Sequence, residues 1–331
     1  MRPVLLPSAR RLWREPDALQ LGGSAARSLV VQGLTPERRT LLPLLDGTRT
    51  REQVLTEALA AGCSDADDVL AVLEDGGLVL DADDLAPAGL DRAERDRLSP
   101  DLASLALVRG KRASAALLAR RSARVVVHGG GRVGGPLAAL LAASGVGTVD
   151  VRDHGPTRAS DTAVGGLQLT DLGRPRGEAL AGRLRSLASA RPPALVVLAD
   201  ETAPVTAAHL SRVGTPHLVA HVDETRGVVG PLVLPGSSAC LGCLERVRTA
   251  LDPDWPALMA QPGVGARAAC DSVLASAVAS QAALQVLQHL EGDTPATVGG
   301  TLELELPGWR WRRRSWPQHP DCDCAWAQVA A

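Results

Sequence analysis

Residues 124–153 read Arg-Val-Val-Val-His-Gly-Gly-Gly-Arg-Val-Gly-Gly-Pro-Leu-Ala-Ala-Leu-Leu-Ala-Ala-Ser-Gly-Val-Gly-Thr-Val-Asp-Val-Arg-Asp. The β-branched run at 125–127 predicts a strand, the alanines and leucines after the glycines predict a helix, and residues 149–151 predict a second strand. Strand, glycine loop, helix and strand in this order form a βαβ unit. The stretch therefore predicts a Rossmann-like nucleotide-binding domain of the α/β class.

Three glycines in this stretch have the spacing of a dinucleotide-binding loop. Gly129 permits a tight turn, Gly131 lets the backbone approach a phosphate, and Gly134 lets the helix pack closely on the strand. The start of the helix supplies unpaired amides for an anion. Asp153 follows about twenty residues later, where such folds hold a ribose hydroxyl. The alternative is a glycine-rich loop without a ligand.

The composition is that of a globular protein of about two domains. The chain has 331 residues, 45% of them hydrophobic, and a net charge of −2. This charge gives no strong attraction to nucleic acid or to a membrane surface. No apolar run is long enough to span a bilayer, and the first residues lack a signal-peptide core. We therefore expect a cytoplasmic protein without a nucleic-acid or membrane partner.

After the βαβ unit, helices and strands alternate as in a doubly wound sheet with helices on both faces. The helices are expected at 177–190 and near 205–213, and the strands at 194–199 and 217–222. This domain would occupy residues 121–331 and end in a hairpin of strands at 301–306 and 309–312. The arginines of the hairpin predict a solvated edge strand beside a tryptophan core, or else a phosphate site.

Residues 1–95 predict a separate winged-helix domain, and residues 96–120 predict a helical linker. Strands are expected at 11–13, 18–21 and 27–31, helices from Thr35, Thr50 and Asp65, and a closing strand at 78–80. The first helix is expected to extend to Leu45. A DNA-binding winged helix is the alternative, but the second helix has few arginines and the third is acidic. The basic surface that follows phosphates is therefore missing.

Four pieces of this first region form a recognisable set. They are Leu12-Trp13-Arg14, Leu19-Gln20-Leu21-Gly22, Leu44-Leu45-Asp46-Gly47-Thr48-Arg49-Thr50 and Gly77-Leu78-Val79. The set resembles the PqqD-like peptide-recognition domain of enzymes that modify ribosomal peptides. In that family a leader peptide adds as a strand to the small sheet and contacts the third helix, which is β-augmentation. The resemblance implies a peptide-binding set of Arg27, Ser28, Leu29, Val30, Val31, Val69, Leu70 and Leu73.

Two further stretches accompany the glycine loop. Residues 227–233 read Gly-Val-Val-Gly-Pro-Leu-Val, and residues 240–244 read Cys-Leu-Gly-Cys-Leu. With the loop and the order of elements, they make residues 120–325 similar to the ThiF and MoeB group of ubiquitin-activating-like adenylyltransferases. Members bind ATP and Mg²⁺ and adenylate the C-terminal glycine carboxylate of a protein. The resemblance implies nucleotide contacts at Gly129, Gly131, Gly134 and Asp153, with Asp200 serving Mg²⁺ and catalysis.

The chain departs from that group in the positive charges around the nucleotide. Arg132 stands where the group has a glycine, residues 161–165 lack its arginine and glutamine, and Arg176 replaces its lysine. Adenylyl transfer depends on positioned positive charge, so these departures predict a domain without full catalytic machinery. The alternative is that Arg132 and Arg176 contact the nucleotide and replace the missing charges. ATP and Mg²⁺ are cofactors under that second interpretation.

Six cysteines occur, four of them in two close pairs. Cys240 and Cys243 form a CxxC pair, and Cys322 and Cys324 form a CxC pair. Two such pairs provide the four thiolates of a structural Zn²⁺ site, whereas a reducing compartment disfavours disulfides. A site closed by four sulfurs has no open position for catalysis. Cys270 is either a small buried residue or a thiol activated by a helix N-terminus.

The C-terminal residues complete the interpretation. Residues 316–325 read Trp-Pro-Gln-His-Pro-Asp-Cys-Asp-Cys-Ala. They resemble the free-standing ocin-ThiF-like partner proteins of azole-forming (TOMM) cyclodehydratases. The resemblance implies a homodimer that captures a precursor's leader peptide and presents it to a separate YcaO-type ATP-dependent cyclodehydratase. The alternatives are an active adenylyltransferase that acts on the C-terminus of a small carrier protein, and a nucleotide-regulated scaffold without a peptide substrate.

Overall fold

The computed structural model divides the chain into two compact units, Met1–Leu118 and Ala119–Ala331. It describes residues 1–23, 28–85, 87–184, 190–199, 204–261 and 269–324. Each unit has its own cluster of buried apolar side chains.

The first unit is built from short strands and helices. Its strands are β1 (Pro3–Leu5), β2 (Arg11–Glu15), β3 (Ala18–Leu21), β4 (Leu29–Val31) and β5 (Val79–Asp81). Its helices are α1 (Pro36–Arg39), α2 (Arg51–Ala60), α3 (Ala66–Asp75) and α4 (Arg92–Arg109), and α5 (Ala113–Ser122) begins in this unit. β2, β3 and β4 form an antiparallel sheet in that order, and β1 pairs antiparallel with β5.

Two local predictions for this unit need correction. The first helix does not extend to Leu45, because α1 ends at Arg39 and a short 3₁₀ turn follows at Leu42–Leu44. Pro43 lies in that turn, and proline has no amide to donate to an α-helical hydrogen bond. The sequence interpretation also missed β1, whose three residues are too few to show a periodic pattern.

Residues 96–120 were expected to form a linker, but most of their leucines belong to the core of the first unit. Leu98, Leu105 and Leu117 are each at most 6% exposed and pack in the same cluster as the strands. The leucines recur at intervals of three and four residues and so lie on one side of the helix. The arginines between them made the segment look like a solvated connector, although only one side of it is solvated.

The second unit alternates strands and helices. Its strands are β6 (Arg124–His128), β7 (Thr148–Arg152), β8 (Leu195–Ala199), β9 (His217–Asp223), β10 (Arg226–Val233), β11 (Gly300–Glu305) and β12 (Arg310–Ser315). Its helices are α6 (Gly134–Ala143), α7 (Arg176–Ala181), α8 (Pro204–Arg212), α9 (Leu241–Leu251), α10 (Trp255–Met259) and α11 (Ser272–Leu290).

These strands form one sheet of mixed direction, in the order β12-β11-β10-β9-β8-β6-β7. β6 to β9 are parallel, and β10 to β12 are antiparallel additions. Side chains of α6 and α11 pack on one face, and side chains of α8 and α9 pack on the other. β7 lies on one side of β6 and β8 on the other, so the topological switch point falls at the carboxyl end of β6. The predicted mixed α/β, Rossmann-like sheet is confirmed.

Two details of the second unit differ from expectation. The helix predicted over 177–190 ends at Ala181, where Gly182 forms the C-cap, and residues 185–189 lie outside the described part of the chain. The predicted hairpin exists as β11 and β12, but the tryptophan core beside it is wrong. Trp309 and Trp311 are 46% and 37% exposed, and within the described ranges only Trp316 of this region is buried. Among the described residues no element covers β12 and buries the other two.

None of the helices in the described part of the chain is both long enough and apolar enough to cross a membrane.

Candidate functional site

The glycine loop lies at the carboxyl end of β6, as predicted. Gly129 has a φ of +95°, a conformation that side chains with a Cβ rarely adopt. A Cβ on Gly134 would lie 2.0 Å from the carbonyl oxygen of Gly129. Glycine is therefore required at both positions, because the first turn of α6 packs directly against the backbone that leaves β6.

Asp153, the predicted ribose acid, is engaged by the protein itself. One carboxylate oxygen accepts hydrogen bonds from the Gly130 amide and from Arg176 Nε, both at 2.8 Å. The other oxygen accepts from the Gly155 amide at 2.9 Å. Burial acts to raise the pKa of Asp153, but these hydrogen bonds outweigh it and lower the pKa. The carboxylate is thus charged and bonded at both oxygens.

Arg176, the first residue of α7, pairs with two acidic residues. Besides Asp153, its guanidinium contacts Asp161 at 3.1 Å. The sequence suggested Arg176 as a nucleotide contact that could replace a missing charge, and it gave no sign of Asp161 as the partner. No local pattern connects positions 161 and 176, so only the fold brings the two charges together.

Arg132 contacts the beginning of α11. Its guanidinium donates to the Cys270 carbonyl oxygen at 2.6 Å and to the Ser272 hydroxyl. Its Nε is buried and has no hydrogen-bond partner among the described residues. Arg132, which stands where the ThiF and MoeB group has a glycine, therefore contacts protein atoms. Asp200, the predicted catalytic acid, follows β8 directly and lies outside the described residues.

The four paired cysteines meet in one cluster although about eighty residues separate the pairs. Their sulfurs all lie within 4.8 Å of one another. The Cys240–Cys243, Cys240–Cys322 and Cys243–Cys324 sulfur distances are 3.8, 3.6 and 3.4 Å. Four sulfurs around one Zn²⁺ at about 2.3 Å would be about 3.8 Å apart. The cluster could therefore hold a tetrahedral metal ion.

The electrostatic surroundings of these thiols differ. Burial raises the pKa of Cys240 to about 11 and also raises the pKa of Cys324. For Cys243, burial acts upward as well, but hydrogen bonds with the backbone of His319 and Cys240 and with neighbouring thiols lower its pKa. Arg246 Nη1 lies 3.7 Å from Cys322 Sγ. Its charge faces the sulfurs, and its position one helical turn after Gly242 was a readable signal that the sequence analysis missed.

The predicted peptide-binding residues divide into two groups. β4 has β3 as its strand neighbour, and no other strand pairs with it in the part of the chain that the structure describes. Val30 on this strand is 36% exposed, whereas Val31 is buried. Ser28 and Leu29 are half-buried, and Arg27 lies outside the described residues.

The three predicted contact residues on α3 are buried. Val69, Leu70 and Leu73 are at most 9% exposed and form part of the core of the first unit. Val72, at the edge of this buried side, is 50% exposed. The sequence showed that α3 is amphipathic, and the apolar side that it identified is the one that packs inward. Val72 is the exposed large apolar residue of α3.

Comparison with known proteins agrees with this architecture. Residues 103–205 match the model of the ThiF family. No curated protein matches the sequence. Among solved structures, E. coli MccB with ATP has a TM-score of 0.72 at 15% identity, over 98% of this chain and all of that chain. Residues 103–205 are thus similar to the ThiF family, and the chain shares the fold of MccB.

Two further structures support the relationship. The microcin C7 biosynthetic enzyme MccB in complex with N-formylated MccA has a TM-score of 0.73 at 15% identity, over 98% of this chain and 100% of that chain. PaaA has a TM-score of 0.69 at 17% identity, over 94% and 99% of the two chains. At these identities the likeness establishes the fold, and it extends over both units of the chain.

Proposed function

We propose that this chain binds the leader of a ribosomally made precursor peptide and presents it to a separate YcaO-type ATP-dependent cyclodehydratase. The observation that carries the proposal is the open edge of β4 near the C-terminal end of α3. The similarity to MccB, whose structures include complexes with MccA, supports a polypeptide ligand. The engagement of Asp153 by Arg176 favours a binding role over catalysis at the glycine loop.

The surface between β4 and α3 suits an extended peptide. Leu29 packs against Gly76, since a Cβ on that glycine would lie 2.7 Å from Leu29 Cδ2, so the strand and the end of the helix are adjacent. An added strand would bond to the β4 backbone, and its side chains would contact Val30 and Val72. Asp75 is exposed and forms no ion pair among the described residues. We therefore expect a leader with an apolar anchor and a nearby basic residue.

Binding is tested with fluorescein-labelled leader peptides from short precursor genes that neighbour this gene, using fluorescence anisotropy on the full chain. Val72→Glu should weaken binding at least tenfold, because it puts a charge where the apolar anchor would be buried. The matched control is Leu59→Glu, an exposed apolar residue of α2. Unchanged affinity in a folded Val72→Glu protein would contradict the proposed groove.

Presentation is tested separately from binding. A YcaO-type cyclodehydratase is incubated with precursor and ATP, and the loss of one water per ring is followed by mass spectrometry. We expect the full chain to accelerate ring formation and the Val72→Glu variant not to do so. If the chain binds the leader but leaves the rate unchanged, the partner role is wrong while the binding role stands.

A second candidate function is an active adenylyltransferase. It is favoured by one observation, the similarity to MccB bound to ATP over 98% of this chain. In that case the phosphates would lie against the backbone of Gly129, Gly131 and Gly134. Asp153 would release Arg176 and accept a hydrogen bond from the ribose. Asp200 would bind Mg²⁺. Peptide-dependent exchange of pyrophosphate into ATP distinguishes the two functions. We expect no exchange, and exchange that Asp153→Asn abolishes would establish the enzyme.

Zn²⁺ is the metal that best fits the four cysteines. The sulfur distances are those of a tetrahedral ion, and four buried or half-buried thiols exclude the oxygen-preferring cations. Cys240, Cys243, Cys322 and Cys324 would hold the ion as thiolates and tie the C-terminal segment to the start of α9. A four-sulfur site supplies no open position, so its role would be structural.

A homodimer is the assembly that we propose. α6 and α11 pack on the same face of the sheet, and neither contains Asp, Glu, Lys or Arg. Leu140, Val273 and Leu284 on these helices are 38%, 63% and 52% exposed. An exposed surface without charges can form a two-fold symmetric interface with the same surface of a second chain, because no like charges repel each other there.

A further inference from the structure

β12 is an uncovered edge of the large sheet. It is the terminal strand, it pairs with β11, and all six of its residues are exposed. No other strand lies beside it in the described part of the chain. Its outer backbone amides and carbonyls are therefore available to a further strand, the arrangement that soluble proteins usually avoid by covering or interrupting the edge.

The charges of this edge are unevenly matched. The strand carries Arg310, Arg312, Arg313 and Arg314, whereas β11 opposes it with Glu303 and Glu305. Two of the arginines are engaged within the protein. Arg313 donates to the Ala296 carbonyl at 2.8 Å, and Arg314 lies over the Trp316 ring at 4.2 Å from its centroid.

Arg310 and Arg312 have no such partners. They lie opposite Glu305 and Glu303 in the ladder, yet neither forms an ion pair within 4.0 Å among the described residues. Both side chains are exposed on the same face of the strand, because they are two residues apart. This face therefore has two positive charges, one strand repeat apart, at the outer edge of the sheet, and the two glutamates of β11 lie inward of them.

The other face of β12 carries Trp311 beside Arg313 and Ser315. Trp311 lies opposite the buried Leu304 and is 37% exposed, and Trp309 at the preceding turn is 46% exposed. From Trp309 to Arg312 the chain thus alternates tryptophan and arginine. A strand added beside it would place its own side chains alternately next to the arginines and next to the tryptophans.

The charge distribution selects among the possible occupants. A second copy in antiparallel pairing centred on this strand would put Arg312 beside Arg313 of that copy, which is unfavourable. A nucleic acid lying over the arginine face would bring phosphates to Glu303 and Glu305. An added peptide strand would lie beside the arginines and two strand spacings, about 10 Å, from the glutamates.

We propose that β12 binds an extended acidic segment of another protein as an eighth strand of the sheet. The segment would carry Asp or Glu at alternate positions facing Arg310 and Arg312, with apolar residues between them facing Trp311. Main-chain hydrogen bonds would supply affinity, and the alternating side chains would supply specificity. The site lies in the second unit and does not depend on leader binding at β4.

The test uses the full chain and a capped, fluorescein-labelled peptide of ten residues in which Glu and Val alternate. Binding is followed by fluorescence anisotropy. The double variant Arg310→Glu, Arg312→Glu should weaken binding at least tenfold, whereas Arg212→Glu, an exposed arginine at the end of α8, should not change it. A second peptide with the two central valines replaced by proline keeps the charge but cannot continue the ladder, and it should also bind at least tenfold more weakly.

Four results would overturn the proposal. The wild-type chain does not bind the alternating peptide, or it binds the proline peptide equally well, which would mean attraction by charge without strand pairing. A single-stranded oligonucleotide of equal charge binds more tightly through the same two arginines. In the fourth result, sedimentation shows that the wild-type chain is a dimer and the double arginine variant is a monomer, which would assign this edge to a second copy. Circular dichroism establishes that the double variant is folded.

Discussion

Gly134 illustrates how one absent side-chain atom positions the glycine loop. Its α-carbon approaches the Gly129 carbonyl so closely that a Cβ would be 2.0 Å away, whereas the same atom on Gly135 would be 3.3 Å from its nearest neighbour. The spacing of the glycines therefore reflects packing between α6 and β6. This spacing does not require a bound phosphate, and it is also compatible with a loop whose role is only structural.

Cys243 allows a direct test of the metal site. Cys243→Ser should reduce bound zinc from about one ion per chain to almost none, because serine is a poor zinc ligand at neutral pH. We expect the free energy of unfolding to fall by about 3 kcal/mol or more. Zinc content is measured by inductively coupled plasma mass spectrometry and stability by urea unfolding. The control, Cys270→Ser, should keep its zinc, and a Cys243→Ser protein that still holds one ion would contradict the site.

His217 predicts a pH dependence of stability. The residue is fully buried, its Nδ1–H donates to the Thr215 carbonyl at 3.0 Å, and its Nε2 has no hydrogen-bond partner in the described part of the chain. Burial lowers its pKa below the ordinary 6.5, and the hydrogen bond with Thr215 opposes this shift. The unfolded chain thus binds more protons than the folded chain just below pH 6.5. The free energy of unfolding should therefore decrease as the pH falls below about 6.5.

This dependence is measured by urea unfolding at pH 7.5 and pH 5.5. His217→Gln should cost about 1–2 kcal/mol at pH 7.5, because the amide fills the site less well, and should make the profile flatter. His154→Gln, which changes an exposed histidine, serves as the control and should leave the profile unchanged. An unaltered slope in the His217 variant would show that other groups cause the dependence.

At the scale of single elements, capping residues determine where helices begin. α2 starts with a capping box in which Thr50 Oγ1 accepts from the Gln53 amide and Gln53 Oε1 accepts from the Thr50 amide. α11 starts at Asp271, whose carboxylate accepts from the amides of Val273 and Leu274. Both starts were readable in the sequence, because a cap satisfies amides that lie within three residues of it.

The cap of α2 provides a prediction at this scale. Thr50→Ala should lower the free energy of unfolding by about 1 kcal/mol, since it leaves the Gln53 amide without its side-chain acceptor. Thr56→Ala is the matched control. The Thr56 hydroxyl donates to the Glu52 carbonyl inside the same helix, so its loss should change stability by less than about 0.5 kcal/mol. Equal losses in both variants, measured by urea unfolding, would mean that the capping box does not stabilise α2.

At the scale of the whole molecule, the exposed surfaces differ in charge. The outer sides of α6 and α11 carry no ionic residue, whereas β12 carries four arginines. The first kind of surface suits a second copy of the chain, and the second kind suits an acidic partner. A dimer through the helices would leave the sheet edge at β12 open.

Leu284 tests the proposed dimer. Leu284→Glu should weaken self-association at least tenfold, because it would bury a charge in an uncharged contact. Sedimentation velocity over a range of concentrations measures the effect. Val213→Glu changes an exposed apolar residue outside these two helices and should leave the dimer intact. A wild-type monomer at all concentrations, or a dimer insensitive to Leu284→Glu, would reject this interface.

The amino-acid sequence by itself determined the βαβ unit, the helix starts and the two cysteine pairs, because each depends on residues within about one element of one another. Only the tertiary structure decided that Arg176 holds Asp153, that CxxC meets CxC, and that Val72 is exposed while Val69 is buried. Those outcomes depend on which distant segments lie side by side. The local sequence around a carboxylate, a thiol or an apolar helix face does not indicate which distant residue it will contact. That contact forms only when the sheet and its two layers of helices assemble.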